Sequence, residues 1–274
     1  MGRVQGGQTM GQVQDSGEPA PGAAPAVTVC VAVWRRHGPP NLASLGRSLG
    51  AALDGLTGEL VVVLNGLTAE EAQLPTWARS VAFDVNRGVP RAWNAAAREA
   101  RGDTLCFVND DVSLGTGALR LLHDTLAEHP EAGVVGPVGT EWDLDQARHM
   151  STVDTGGLDR GELRECNVVS GFLFATPRSI FERAGGFDEA YTPCLFEEVD
   201  YSTTVRRKLG YRCFAVAGVS VEHVFGFSHA NPFQRIRFDN RSALKGWVAK
   251  RNRHRFRRKW AGSKSPSGMT KKAG

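Results

Sequence analysis

The sequence contains no apolar run that approaches the length needed to span a bilayer, and its first residues lack the hydrophobic core of a secretory signal. Its five cysteines are odd in number and widely spaced, which argues against a disulfide framework and against a zinc site. Cys30 and Cys106 lie inside apolar runs, so we expect them to be buried free thiols of a reducing compartment. These absences favour a cytoplasmic protein.

Acidic residues are nearly absent between Arg235 and Lys272, where basic residues are dense, although the net charge of the whole chain is only +4. We interpret this segment as a basic helix. Three roles remain open: an anchor at the inner face of a membrane, a patch for an acidic substrate or a nucleic acid, and a solvated helix whose aromatic residues pack on the domain. Nucleic acid is the partner that we least expect.

The remaining composition suits one α/β domain with extensions, or two small domains, because 274 residues with 41% hydrophobic residues can form a sizeable core. Residues 1–26 are rich in Gly, Gln, Pro and Ala without periodicity, which predicts a disordered leader. We place the folded domain at 27–230, the basic helix at 231–262 and a flexible tail at 263–274. No internal repeat is visible.

Strand-like and helix-like patterns alternate along the domain, which indicates a doubly wound and mostly parallel sheet flanked by helices. The predicted strands are Val27–Trp34, Leu60–Leu64, Ser80–Val85, Thr104–Val108, Gly133–Val138, Val168–Ala175, Arg212–Val216 and Val219–His223. The predicted helices are Asn41–Leu53, Pro90–Arg101, Thr116–Glu128, Pro177–Ala184, Glu197–Leu209 and Pro232–Trp260. The pattern weakens over Gly139–Glu165, where we expect loops over a binding cleft.

One strand ends in Asn109, Asp110 and Asp111, directly after the apolar run Thr104–Val108. Ligands of open α/β sheets gather at the carboxyl ends of strands. Two acids at such an end are a plausible seat for a metal ion bound to phosphates. The alternative is a strand-end turn, in which these side chains only satisfy backbone amides.

Five segments occur in an order that resembles a known family: VTVCVAVW, LVVVLNG, NRGVPRAWNAAAREARGDTLCFVNDD, GGFDEAYTPCLFEEVDYSTTVRRKLGY and VSVEHVFGFS. Over Val27 to Ser228 the chain resembles the nucleotide-sugar glycosyltransferases of the GT-A fold, family 2 type. The resemblance implies an α/β, Rossmann-like GT-A fold with a mostly parallel central sheet. It also implies an inverting transfer of a sugar from a UDP-, TDP- or GDP-sugar to an acceptor hydroxyl group.

The resemblance assigns the metal site to Asp111, which matches the acid of the family's DXD motif that we expect to bind Mn²⁺ or Mg²⁺. The first acid of that motif is replaced by Asn109 here, so Asn109 or Asp110 would reach the ribose or the sugar. His223 matches a histidine that can complete the metal site. A structural histidine is the alternative, with His229 as a weaker candidate ligand.

The resemblance also implies a general base in the segment Glu197–Glu198–Val199–Asp200. Glu198 aligns with the second acid of the family's pair, which is usually Asp, and Asp200 is the competing candidate. Glu197 and Asp188 would contact the acceptor, although helix capping is the more ordinary role of Asp188. An acidic helix start that only complements the helix dipole is the alternative for the whole group.

On the donor side the resemblance places Trp34 and Arg35 near the base, at the end of the first strand. The family's usual base-recognising Asp aligns with Leu64, so the neighbouring Asn65 is the polar residue at the end of the second strand. The remaining donor candidates match the family's N-x-G…N pattern or lie on the polar face of the helix that follows: Asn86, Gly88, Arg91 and Asn94.

Two other functions remain open. A nucleotidyltransferase shares this sheet topology, but it needs a glycine-rich phosphate loop after the first strand, and WRRHGPPN is a poor example. A non-catalytic binder of sugar nucleotides or nucleic acid would use the basic C-terminal segment. For a transferase, the acceptor is a polysaccharide, a lipid-linked intermediate or a small natural product.

Overall fold

The computed structural model describes residues 24–34, 42–223 and 231–262. Its strands are β1 Val27–Val33, β2 Gly58–Asn65, β3 Arg79–Phe83, β4 Thr104–Asn109, β5 Val112–Leu114, β6 Ala132–Gly136, β7 Gly139–Asp143, β8 Arg148–Val153, β9 Leu163–Cys166, β10 Val168–Val169, β11 Leu173–Pro177, β12 Arg212–Val216, β13 Val221–His223, β14 Arg235–Phe238 and β15 Arg241–Leu244. Its α-helices are α1 Leu42–Leu53, α2 Val89–Glu99, α3 Ala118–Glu128, α4 Arg178–Ala184, α5 Glu197–Arg207 and α6 Lys245–Trp260, with a 3₁₀ turn at Glu189–Tyr191.

The central sheet has eight strands in the order β3-β2-β1-β4-β11-β6-β12-β9. β1 pairs in parallel with β2 and β4, β2 with β3, and β6 with β12, whereas β11 and β9 are antiparallel to their neighbours. This confirms the predicted α/β architecture with a mostly parallel sheet. The carboxyl ends of β1, β2 and β4 therefore lie at one edge of the sheet.

Helices cover both faces of the sheet, which explains why its central strands are apolar runs without alternation. Every residue of β1 is buried. Its odd-numbered valines pack with α1 and α3 on one face. Cys30 and Ala32 point to the other face, where they join the side of α2 that carries Trp93. All five cysteines are buried and free, as predicted for Cys30 and Cys106, and burial raises the pKa of the Cys106 thiol to about 12.

The segment predicted as loops, Gly139–Glu165, instead forms strands. β7 and β8 pair in antiparallel register, and β10 pairs with the other edge of β7. Most residues of β8 are exposed, so the strand carries no apolar alternation that a sequence pattern could reveal. We call β7 and β8 together the ribbon. Its residues belong to the segment that the sequence predicts to lie over a binding cleft.

The helix predicted over Pro232–Trp260 is also wrong in its first half. β14 and β15 form a hairpin whose two turn residues, Asp239 and Asn240, have φ angles of 46° and 56°. Positive φ at both central residues is the requirement of a type I′ hairpin turn, and Asp and Asn tolerate it. Only Lys245–Trp260 is helical.

Helix α6 is part of the folded body because one of its faces is buried. Lys245, Val248, Asn252, Phe256 and Trp260 recur every three or four residues and are all buried. Phe256 and Trp260 join a small apolar cluster that includes residues of α5 and of the loop before it. Within the described ranges, no helix has the length and apolar character that crossing a membrane would require.

Candidate active site

A cavity of about 560 Å³ opens at the carboxyl ends of β1 and β4. It brings together seven of the residues that the sequence singled out. They come from the end of β1, the turn before α2, the end of β4, the start of α5 and the end of β13: Trp34, Asn86, Asn109, Asp111, Glu197, Glu198 and His223. These residues span about 190 positions of the chain, so only the fold makes them neighbours. We call this space the first cavity.

Asp111 and His223 meet on its wall, with His223 Nε2 3.2 Å from Asp111 Oδ1. The contact follows from strand pairing, because β13 runs antiparallel to β5 and sets His223 opposite Val112. The imidazole also stacks on the ring of Phe172, with centroids 4.6 Å apart and planes at 13°. Strand register and ring stacking therefore both fix where the histidine lies.

This pair fits a divalent metal ion whose coordination is completed by a ligand. Among the residues that the structure describes, no group of three or more His, Cys, Asp or Glu side chains is arranged to hold a metal. One carboxylate oxygen and one imidazole nitrogen do converge at the cavity wall. Manganese-like ions accept both ligand types, and phosphate oxygens of a substrate commonly supply the rest.

Two acids enter the first cavity from the start of α5. Leu195 and Phe196 precede the helix with φ angles of 76° and 80°, a left-handed conformation that is rare for such side chains. This turn directs the start of the helix toward the cavity, which Glu197 and Glu198 line. Gly171 lies against Glu198: a Cβ atom there would stand 3.2 Å from its Cγ atom.

Burial makes both carboxyl groups weaker acids than glutamate in water. It raises the pKa of Glu198, an effect that hydrogen bonds to backbone amides at the helix start only partly oppose. It raises the pKa of Glu197 well above its ordinary value, and the charge of Glu198 adds to the effect. Glu197 Oε2 is buried without a hydrogen-bond partner. Desolvation therefore outweighs the backbone hydrogen bonds at this helix start.

Asp200, the competing candidate for the base, does not line the first cavity. Its carboxylate accepts hydrogen bonds from Tyr191 Oη at 3.0 Å, Trp260 Nε1 at 2.8 Å and Lys259 Nζ at 2.7 Å. Burial raises the pKa of Asp200 even though these partners lower it. The side chain serves to join α5 to the end of α6, which leaves Glu198 as the candidate that faces a substrate space.

Asp188, for which acceptor contact and helix capping were both expected, caps the 3₁₀ turn Glu189–Tyr191. Its Oδ1 accepts a hydrogen bond from Ala190 N, and its Oδ2 lies 2.9 Å from Lys259 Nζ. Burial alone would raise the pKa of Asp188, but the hydrogen bonds from Lys259 and Ala190 lower it below its ordinary value. Asp188 lines neither of the two cavities described here.

A second cavity, of about 800 Å³, adjoins the first and shares Trp34 and Asn86 with it. Asn65 lies on its wall, and Asn65 Nδ2 donates to Asn86 Oδ1 at 2.9 Å. The opposite wall is the β14–β15 hairpin, which contributes Arg235, Arg237 and Arg241. Asn86 Nδ2 donates to the Arg237 carbonyl at 2.9 Å and so ties the hairpin to the sheet edge.

Three donor candidates hold the backbone around these cavities but line neither of them. Asn94 is buried on α2, where its amide donates to Phe187 O and accepts from Phe187 N. Arg91 Nη1 lies 2.7 Å from Asp239 Oδ2, which fastens the tip of the hairpin. Gly88 has a φ angle of 86°, and a Cβ atom there would lie 2.7 Å from Pro193 Cα.

The three residues of the DXD-like triplet also differ in whether they line a cavity. Asn109 and Asp111 line the first cavity, whereas Asp110 is buried and lines neither cavity. Asn109 ends β4, whereas Asp110 and Asp111 form the turn between β4 and β5, so the path of this turn decides which of the two acids faces the cavity. Arg35 and His229 lie outside the described residues, as do the predicted tail 263–274 and most of the predicted leader.

The motifs missed two groups of lining residues. One face of the ribbon, with Thr140, Trp142, His149 and Thr152, borders the first cavity, and the three hairpin arginines border the second. An aromatic residue within the polar segment Gly139–Glu165 is the only sequence signal for the ribbon. The hairpin arginines have no signal of their own, because the basic pattern of Pro232–Trp260 predicts one continuous helix.

Comparison with known proteins gives a family and a fold. The family model described as glycosyl transferase family 2 matches residues 36–185, which is more than half of the chain. No curated protein sequence matches significantly. A crystal structure of GalNAc-T7 with UDP, GalNAc and Mn²⁺ is similar with a TM-score of 0.61 and 14% identity, covering 83% of this chain and 47% of that one.

The mannosyltransferase PcManGT from Pyrobaculum calidifontis, solved with GDP-Man and Mn²⁺, gives a TM-score of 0.46 and 21% identity, covering 71% of this chain and 55% of that one. This chain thus spans about half the length of each of these two proteins. The similarity to GalNAc-T7 confirms the predicted GT-A fold.

Proposed function

The chain belongs to glycosyl transferase family 2, and from that premise we propose that it moves a sugar from a nucleoside diphosphate sugar to an acceptor hydroxyl group. The observation that carries the proposal is the first cavity, in which Asp111 and His223 share a wall with Glu197 and Glu198. A pair of metal ligands beside the diphosphate and a carboxylate base are the two parts that such a transfer needs.

On the donor side, Asp111 and His223 would hold a Mn²⁺ or Mg²⁺ ion. When bound, the ion neutralises charge that develops on the leaving diphosphate. The second cavity would hold the nucleoside, because Trp34 and Asn86 lie where it adjoins the first cavity and Asn65 lies on its own wall. Its three arginines suit a UDP-, TDP- or GDP-sugar, which is anionic.

On the acceptor side, Glu198 would act as general base. The acceptor oxygen attacks the anomeric carbon from the side opposite the diphosphate, and its proton passes to the Glu198 carboxylate. The bond between the anomeric carbon and the diphosphate oxygen breaks, and its electron pair leaves with the diphosphate. A single displacement of this kind inverts the anomeric centre. The raised pKa of Glu198 brings its basicity closer to that needed near neutral pH.

We predict that one of the three nucleotide sugars, UDP-, TDP- or GDP-linked, raises the melting temperature more with Mn²⁺ than with a chelator. A ligand at 100 times its Kd stabilises a native protein by about 2.7 kcal/mol, which is about 5–11 °C for a domain of this size. A thermal-shift screen checks this, with nucleoside monophosphates as controls. A shift with nucleoside triphosphates alone, accompanied by pyrophosphate release, would instead indicate a nucleotidyltransferase. No shift with any nucleotide sugar contradicts the proposal.

The surface beside the cleft favours a peripheral membrane contact, compatible with a lipid-linked acceptor. Phe233 and Trp247 are 75% and 56% exposed, and Leu244 is exposed between them in the chain. Hydrogen bonds from Lys245 N and Gly246 N to the Pro232–Gln234 segment hold these side chains at the start of α6. From Trp247 onward, the exposed face of the helix carries basic residues at helical spacing: Lys250, Arg253, Arg257 and Arg258.

We predict that the protein sediments with vesicles that contain anionic phospholipid and stays in solution with purely zwitterionic vesicles. Arg253→Glu should weaken this binding about fivefold or more, because each basic residue near an anionic surface contributes about 1 kcal/mol. Phe233→Ala with Trp247→Ala should weaken it further. Met150→Ala, which removes an exposed apolar side chain on β8, is the control. Equal binding to both vesicle types, or tight RNA binding without vesicle binding, would contradict the proposed membrane contact.

A further inference from the structure

One face of the ribbon borders the first cavity although no motif marks it. Trp142 stands opposite His149, and Thr140 stands opposite Thr152, across the β7–β8 pair. All four residues line the cavity. In the central sheet, β11 lies between β4 and β6. β4 ends at Asn109, and β6 leads into the ribbon. The ribbon therefore borders the cavity from the part of the sheet that is remote from the nucleotide candidates.

Trp142 is held in place before any ligand binds. Its indole Nε1 donates to Thr140 Oγ1 at 3.1 Å, and its backbone N–H and C=O both bond to the side chain of Asn167. Its ring meets that of Phe196 at 5.6 Å in a T-shaped contact. Phe196 immediately precedes Glu197, so this contact fixes the indole relative to the two acids of α5. A rigid, half-buried aromatic ring beside a reactive group is a typical binding platform.

The charges around this space restrict what can bind there. The described residues that line the first cavity include the carboxylates of Asp111, Glu197 and Glu198 but no Lys or Arg. A phosphate or carboxylate on the acceptor would therefore meet like charge without a compensating cation. The remaining neighbours of Trp142 are hydroxyl groups, an imidazole and apolar side chains such as Leu195. This mixture suits an uncharged ring that has one apolar face and several hydroxyl groups.

We infer that the ribbon is the acceptor subsite and that it takes a neutral pyranose ring, the terminal sugar of the acceptor. The C–H face of the pyranose ring packs on the indole of Trp142. Thr140, Thr152 and His149 lie on the same face of the ribbon and form hydrogen bonds with the hydroxyl groups of the sugar. The inference rests on the proposed function, because an inverting transfer needs its acceptor on the Glu198 side of the donor. It narrows the acceptor to a glycoside that is uncharged at the reacting end.

The test uses the full chain with Mn²⁺ and whichever of UDP, TDP and GDP binds in calorimetry. Saturation-transfer NMR then measures binding of four probes: the methyl pyranosides of glucose, galactose, mannose and rhamnose. Benzyl alcohol serves as a planar aromatic probe. We expect at least one pyranoside to bind, with Trp142→Ala weakening it about tenfold or more. Met150→Ala, which removes an exposed apolar side chain of the ribbon that does not line the cavity, should leave pyranoside binding unchanged.

The outcomes separate the inference from the proposed function. Nucleotide binding that persists in Trp142→Ala while pyranoside binding is lost supports both. Nucleotide binding without any pyranoside binding, or pyranoside binding that Trp142→Ala leaves unchanged, overturns the acceptor subsite alone. Binding of benzyl alcohol but of no pyranoside also overturns it in favour of an aromatic acceptor. Failure of all three nucleotides to bind with Mn²⁺ overturns the proposed function instead.

Discussion

Glu198→Gln is expected to lower turnover by about 10²–10⁴-fold, because a positioned general base contributes about that much to a proton transfer. The change keeps the shape of the side chain and its contact with Gly171 but removes the ability to accept the acceptor's proton. Binding of the nucleotide sugar should stay within about twofold, since the proposed mechanism assigns Glu198 to the acceptor and not to the diphosphate. Initial rates and calorimetric affinities measured on the same preparation check both statements.

The dependence of the rate on pH tests the role of Glu198 independently of the substitution. Only the ionised carboxylate can act as a base, so the rate should fall as pH decreases through the pKa of Glu198. Because burial raises that pKa, the acidic limb should lie above the ordinary glutamate value of about 4.3. Glu198→Gln should remove this limb from whatever activity remains. An unchanged limb would assign it to another group.

The same pKa shift predicts that the inactive variant is more stable than the wild type at neutral pH. A carboxyl group whose folded pKa exceeds its unfolded pKa binds protons more tightly in the folded state. Stability linked to it is therefore greatest below the unfolded pKa and is lost as pH rises through the folded pKa. Glutamine carries no such penalty, so Glu198→Gln should raise the melting temperature at pH 7 and show little gain at low pH.

Two further substitutions complete the test of the general base. Glu182→Gln, an exposed carboxylate on α4, is the matched control and should change neither rate nor melting temperature. Asp200→Asn should mainly lower stability, because it weakens three hydrogen bonds that join α5 to Tyr191, Lys259 and Trp260. A loss of less than tenfold in Glu198→Gln, together with a larger loss in a folded Asp200→Asn, would transfer the role of base to Asp200.

The sequence predicted the strand ends well, because a strand that is buried on both faces is a nearly continuous apolar run whose end is easy to recognise. Val27–Val33 and Thr104–Asn109 are apolar runs that stop at polar residues, and such a stop coincides with a strand's carboxyl end. The sequence therefore predicts Trp34, Asn109 and Asp111 at a common edge of the sheet, and all three line the first cavity. His223 needed the family pattern as well, since a histidine at a strand end has no distinctive local signal.

The sequence could not separate Glu198 from Asp200, because both occupy the first turn of one helix. The two differ in their distant partners: Lys259 and Trp260 of α6, about 60 residues away, donate hydrogen bonds to Asp200, whereas Glu198 lines the first cavity. Asn94 shows the same limit. It matches a donor pattern, yet its amide is taken by the backbone of Phe187, 93 residues later. Local patterns predict that a polar side chain matters but not which distant partner it meets.

Asp111→Asn is expected to remove the effect of Mn²⁺ on nucleotide binding and to lower turnover by about 10²-fold or more, since a metal ion at a phosphate supplies several kcal/mol of charge stabilisation. The substitution keeps the side chain's size but removes the negative charge that faces His223 Nε2 at 3.2 Å. Calorimetric titration of the nucleotide diphosphate, with and without Mn²⁺, measures the loss directly. His223→Ala should weaken the same Mn²⁺ effect, because it removes the second of the two converging ligands.

Asp145→Asn is the matched control for this substitution, since Asp145 is exposed at the turn of the ribbon and lines neither cavity. It should keep the full Mn²⁺ response. If Asp111→Asn also keeps that response while Glu198→Gln is inactive, the enzyme stabilises its leaving diphosphate without a metal at this site. The cations near the diphosphate would then have to be sought among the arginines of the β14–β15 hairpin. Loss of the response in Asp111→Asn but not in Asp145→Asn, with the wild-type melting temperature retained in the ligand-free form of Asp111→Asn, would place the metal at the end of β4.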